Sequence, residues 1–196
     1  VREKGIKPDI ILASASPRRK EILEQMGFNV CVHPSDFNEN TLQITDPEEF
    51  AVQAAREKAS VVSIHYPELI TVAADTVVTL DGILLGKPDD YNDAFTMLNR
   101  LSGRTHDVIT GISIHYPVKN CSYSGFEKTE VTFRLLADEE IKCYLSEHKP
   151  FDKAGAYGIQ DLTVPLVSNI RGCYFNVVGF PVSHFYIHWR NIVNIV

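Results

Sequence analysis

No apolar run in this 196-residue chain approaches the roughly eighteen residues that a membrane-spanning helix needs. Its four cysteines, Cys31, Cys121, Cys143 and Cys173, stand 90, 22 and 30 residues apart with no C-x-x-C pair. That spacing points away from a zinc ribbon or a compact disulfide framework and leaves four reduced thiols as the plain reading. The seven histidines are scattered and form no H-E-x-x-H, so the usual zinc-hydrolase signature is missing. No run of five or more basic residues occurs, and the formal net charge is −6. A broad surface for a nucleic-acid polymer is therefore not expected, and the cations must act locally, on a small anionic ligand. No charged-then-apolar leader opens the sequence, which makes the cytoplasm the expected location. Internal repeats, low-complexity tracts and linkers are also absent, so a single domain over residues 1–196 is expected.

The chain does carry globular proportions of apolar residues, 44%, and charged residues, 22%. Residues 10–13 read as a short buried strand. Ser16 and Pro17 then supply a helix cap and a first-turn proline, and Gly27 ends that helix. Asp46, Pro47 and Glu49 announce a second helix by the same logic. "ITVAADTVVTLDGILLGKP" is β-branched around an Asp-Gly turn and predicts a hairpin. Residues 91–101 and 138–147 read as helices, "HDVITGISIHY" and "KTEVTFRLL" as strands, and "NIRGCYFNVV" as a hairpin turning near Arg171 and Gly172. A last helix starts at Pro181. Helices alternating with strands and hairpins predict an α/β fold with a mixed sheet flanked by helices.

Arg18 and Arg19 occupy the first turn of the first helix, where free N–H groups already carry partial positive charge. A phosphate chain resolves that conflict, with Ser14 and Ser16 adding hydroxyls and N–H groups; solvated guanidinium groups paired with distant acids are the bland alternative. On a wheel of about 100° per residue, Lys58 falls near the middle of the apolar arc of Phe50, Ala51, Ala54, Ala55, Val61 and Val62. It is either a snorkelling lysine or an ammonium aimed into an anionic cleft. Asp75 interrupts a strand whose neighbours predict heavy burial, so it must have a partner: a salt bridge, turn amides, or a metal or catalytic water. Glu39, in a polar segment, is a candidate second oxygen ligand. Lys87 in "LLGKP" lacks the P-loop spacing and means little alone. "DKAGAYGIQ" combines small residues with Lys153 and Gln160, as a tight turn or a ligand-lining loop. This mixture of cations and carboxylates suits metal-assisted attack on a phosphate chain.

"LASASPRRKEIL", "AREKA", "ADTVVTLDGILLGKP", "LSGRTHDVITG", "KTEVTF", "DKAGAYGIQ" and "VVGFP" occur in order over about residues 10–182. Together they resemble the Maf family of nucleoside triphosphate pyrophosphatases. The resemblance implies a fold related to the inosine triphosphate pyrophosphatases, with an elongated curved mixed sheet, two lobes around a cleft, and a homodimer. It implies hydrolysis of a nucleoside triphosphate to the monophosphate and pyrophosphate with Mg²⁺ or Mn²⁺. Carried over by position, the family's site residues fall on Ser14, Arg18, Arg19, Glu39, Lys58, Asp75, Lys87 and Gln160. Glu39 and Asp75 are the implied metal ligands; Asp75, Glu39, Lys58 and Lys87 are the implied catalytic set, and Ser14, Arg18, Arg19, Lys58, Lys87 and Gln160 the substrate-binding one. "AGAYGIQ" looks like the branch acting on dTTP and UTP, modified uridine nucleotides included. A nucleotide-binding regulator without turnover and a house-cleaning enzyme for purines such as ITP are the alternatives. Three positions depart from the family pattern: Asn38 before Glu39, Ala73 two before Asp75, and Asp161 after Gln160.

Overall fold

The computed structural model describes residues 9–193. Its elements are β1 (Ile10–Leu12), α1 (Pro17–Gln25), β2 (Val30–Val32), α2 (Pro47–Ser63), β3 (Ile70–Leu80), β4 (Ile83–Leu85) and α3 (Tyr91–Leu101). They continue with β5 (Thr105–Tyr116), β6 (Cys121–Phe133), α4 (Asp138–His148), β7 (Val167–Arg171), α5 (Tyr174–Val178) and α6 (Val182–Val193). The strands form one mixed sheet in the order β2-β1-β3-β5-β6-β7, with β4 also on β3. β1 runs parallel to β2 and β3, and the remaining pairs are antiparallel.

The local signals explain most element ends. Asp46 accepts from the Glu49 N–H at 2.8 Å and starts α2. Asp81 and Gly82 both have positive φ, at 55° and 77°, as a two-residue hairpin turn requires. One expectation is corrected: "NIRGCYFNVV" is not a hairpin. Val167–Arg171 pairs with β6 instead, and after the Gly172 turn the chain forms α5. The Thr129 Oγ1 of β6 accepts from both the Cys173 N–H at 3.0 Å and Asn176 Nδ2 at 2.9 Å, which ties the new helix to the sheet.

Side chains alternate along β3, and the two faces have different covers. Ala73, Asp75 and Val77 face α2 together with Ile11, Ala13, Ala59 and Val62 or with Ala51 and Ile109. On the opposite face Val72 and Ala74 join a core with α1 and α6, while Val78 and Leu80 join another with α3 and α4. A polar belt separates these two cores: Thr76 Oγ1 lies 3.0 Å from Thr110 Oγ1, Thr110 donates to the Asn176 carbonyl at 3.1 Å, and Asn176 Nδ2 donates to the Val108 carbonyl at 3.0 Å. Every member of a buried belt of this kind needs a partner, and these threonines have one.

One edge of β3 has two successive neighbours. β1 pairs with Ile70–Val72 and β4 with Val78–Leu80, while the other edge stays on β5 throughout. Neither β1 nor β4 pairs with residues 73–77 of β3, and Asp75 stands in that gap.

Candidate active site

The gap opens into a cavity of about 660 Å³. All eight residues singled out by sequence, Ser14, Arg18, Arg19, Glu39, Lys58, Asp75, Lys87 and Gln160, line it. They arrive on separate segments: the β1–α1 turn, the first turn of α1, the polar segment before α2, α2, β3, the end of β4 and the loop before β7.

At the start of α1 the Ser16 backbone is extended and its side chain makes no capping bond, and no acid sits in the first turn. The free N–H groups therefore face the cavity without a protein anion, which is the electrostatic arrangement of an anion site. Ser14 Oγ accepts from the Ser16 N–H at 3.3 Å and from Arg19 Nη1 at 2.8 Å. Arg19 also donates Nε to the Gly179 carbonyl at 2.9 Å and Nη2 to Thr76 Oγ1 at 3.1 Å. Its fork joins four segments, and desolvation lowers its pKa against the opposing pull of Asp75. Arg18, by contrast, makes a loose pair with the exposed Asp152, at 3.9 Å. Lys87 has no ion pair among the described residues.

Lys58 points inward, which decides for the ammonium aimed into the cleft over the snorkelling lysine. Its ammonium meets Asp75 Oδ1 at 2.7 Å and is also paired with Glu39. The side chains of Lys58 and Asp75 are only 12% and 9% exposed, so this is the partner that the buried strand carboxylate needed. Glu39 begins a short 3₁₀ turn, Glu39–Thr41, capped by Asn38 Oδ1 accepting from the Asn40 N–H at 3.1 Å. The departure at Asn38 thus has a local job in placing Glu39.

Sequence reasoning did not single out Thr76, Asp152 or the surroundings of Asp161. Strand alternation sends Thr76 to the face opposite Asp75, where it meets Arg19, so its involvement was readable from β3 once Arg19 was known to cross the sheet edge. Asp152 and Tyr144 gave no comparable signal. Among the described residues, no group of three or more His, Cys, Asp or Glu side chains comes together as a metal cluster. What the site offers a divalent ion is the pair Glu39 and Asp75, two oxygen donors converging on one ammonium.

The model of the family described as "Maf-like protein" matches residues 9–191. The dTTP/UTP pyrophosphatase of Pyrococcus furiosus is 47% identical over 173 residues, 88% of this chain and 90% of its own. That of Carboxydothermus hydrogenoformans is 45% identical over 181 residues, 92% and 97% of the two chains. That of Thermosipho africanus is 48% identical over 174 residues, 89% and 88%. Among solved structures, a HAM1 protein from Coxiella burnetii has a TM-score of 0.45 at 15% identity, over 65% of this chain and 73% of that one, too little to support any conclusion about activity.

Proposed function

Since the chain belongs to the Maf-like protein family, we propose that it hydrolyses dTTP and UTP to the nucleoside monophosphate and pyrophosphate. The observation that carries this reading is the convergence of Arg18, Lys58 and Lys87 with the bare start of α1 on the same cavity as Glu39 and Asp75. Five cations, with Arg19 and Lys153 included, face four carboxylates there, in a protein whose net charge is −6. The choice of pyrimidine rests on the names of the relatives, each a dTTP/UTP pyrophosphatase.

In this reading the α1 N–H groups, Ser14, Arg18 and Lys87 hold the phosphate chain, and Arg19 braces the turn that carries Ser14. A water oxygen forms a bond to the α-phosphorus while the bond from that phosphorus to the bridging oxygen breaks. Asp75 takes the proton of the attacking water, and pyrophosphate departs with its charge balanced by Arg18 and Lys87. Lys58 keeps Asp75 and Glu39 at one point and offsets the repulsion between them.

The donor set fits Mg²⁺ or Mn²⁺: both available groups are carboxylates, and such ions commonly take one or two of them and complete their shell with water and substrate phosphate. Glu39 and Asp75 would hold the ion. When bound, it supplies polarisation of phosphoryl oxygens. A homodimer and a cytoplasmic place of action belong to the same reading. The homodimer rests on the family resemblance rather than on a feature of the single chain, and sedimentation velocity tests it.

The deciding assay is pyrophosphate release across dTTP, UTP, CTP, GTP and ITP with Mg²⁺ or Mn²⁺. Release from dTTP and UTP, abolished by EDTA and lost in Asp75→Asn with the fold intact, is the expected result. Binding without product in every combination identifies a sensor instead, preference for ITP identifies the purine alternative, and full turnover in Asp75→Asn removes Asp75 from the chemistry.

A further inference from the structure

On the lining of the cavity the chain turns at residues 158–161, closed by the Asp161 N–H donating to the Gly158 carbonyl at 3.1 Å. Gln160 projects from this turn and Lys153 lies beside it, both on the cavity lining. What fixes the turn is a fully buried hydroxyl. Tyr144, on α4 with 0% exposure, donates to Asp161 Oδ2 at 2.6 Å and accepts from the Gly158 N–H at 2.9 Å. The same carboxylate holds Lys153 Nζ at 3.8 Å and faces His148 Nδ1 at 3.8 Å. The carboxylate lies directly against the turn, since a Cβ on Gly158 would meet Asp161 Oδ2 at 2.7 Å. Desolvation and the bond to Asp161 both raise the Tyr144 pKa, so its proton stays on the hydroxyl that donates.

Asp161 is a poor choice for this wall on charge alone, since a carboxylate beside a site for a polyanion weakens binding. Its bonds suggest the compensation. Building on the pyrophosphatase reading, we propose that Tyr144 and Asp161 are positioning residues for the nucleotide: through the 158–161 turn they set where Gln160 and Lys153 meet the substrate. Tyr144 does not line the cavity itself and acts through Asp161 and the Gly158 backbone, while Asp161 also pairs with Lys153.

The sign of one substitution separates positioning from simple charge. Asp161→Ala removes a negative charge, and an electrostatic background alone makes nucleotide binding tighter. Positioning predicts the reverse: KM for dTTP rises about tenfold in Asp161→Ala and in Tyr144→Phe, with kcat within about twofold, as expected for a lost buried hydrogen bond felt mainly on binding. Asp161→Asn, which keeps an acceptor for the Tyr144 hydroxyl, recovers part of the loss. Hydrogen exchange at the Gly158 amide speeds in Tyr144→Phe, whether or not the protein turns nucleotide over. A lowered or unchanged KM in a stably folded Asp161→Ala overturns the inference while leaving the pyrophosphatase reading intact. Wild-type protein that releases no pyrophosphate removes that reading instead, and unaltered Gly158 exchange in Tyr144→Phe then removes this one independently. Should Tyr144→Phe not fold, the Asp161→Ala KM decides.

Discussion

Replacing Gly111 with alanine tests how closely α2 must sit on the sheet for Lys58 to meet Asp75. Gly111 lies on β5 directly opposite Asp75 in the ladder, and a Cβ there would stand 2.0 Å from the Ala51 carbonyl oxygen, 2.2 Å from its carbon and 2.6 Å from the Val52 nitrogen. These are backbone atoms of α2, which no side-chain rotation moves. Ordinary contact begins at 3.4 Å, so the helix must retreat by about 1.4 Å or the strand must bend by as much. Overpacking of this kind costs roughly 1 to 3 kcal/mol, and the rigid backbone places it at the upper end. For a chain of this size that is a fall in Tm of about 6 to 12 °C. Lys58 rides on the same helix two turns away, and its 2.7 Å bond to Asp75 cannot survive such a retreat unchanged. A misplacement near 1 Å at reacting groups costs up to about 10²-fold in rate. Thermal melts and pyrophosphate release, with Gly86→Ala as a control in open space, make the measurement. Wild-type melting and turnover in Gly111→Ala would refute the close-packed account of α2 and, with it, the view that helix position sets the ion pair.

The other expectations concern His106 and Arg19. His106 is buried with Nε2 2.7 Å from the Tyr157 hydroxyl, and desolvation, partly opposed by Asp107, lowers its pKa to about 4 from 6.5. Between those values the unfolded chain binds more protons than the folded one, so stability is full above about pH 6.5 and declines as pH falls toward 4, by up to roughly 3 kcal/mol. Denaturation midpoints over that window should slope less in His106→Gln, and equal slopes would show that another group is responsible. Arg19→Lys breaks at least two of the three bonds to the Gly179 carbonyl, Ser14 and Thr76, because an ammonium lacks the planar fork; a loss of about 1 to 3 kcal/mol and a raised KM are expected, and urea unfolding with unchanged midpoint would contradict the bracing role.

Local chemistry was legible in the sequence where a single segment decides the outcome. The Asp46 cap, the Asp81–Gly82 turn and the left-handed Gly27 follow from residues within a few positions of one another. Partners far apart in sequence were legible only as needs. The run around Asp75 required a partner, yet nothing in it named Lys58, 17 residues earlier on another element. The "NIRGCYFNVV" segment was misread because its strand finds β6, not itself, and because the helix that follows depends on Thr129. The inward cation and the helix start without an acid were visible because each violates a local preference, and local violations mark places where tertiary structure or a ligand must compensate.

β3 and β5 pass without interruption from the core under α1 and α6 into the core under α3 and α4, joined residue by residue from Thr71 to Thr79. The two halves of the molecule consequently share one continuous two-stranded mast rather than a single-chain linker. A jaw-like swing would have to bend both strands of that ladder as a unit, whereas the segments hung on its sides, the stretch around Glu39 and the turn that bears Gln160, can adjust to a guest and leave it untouched.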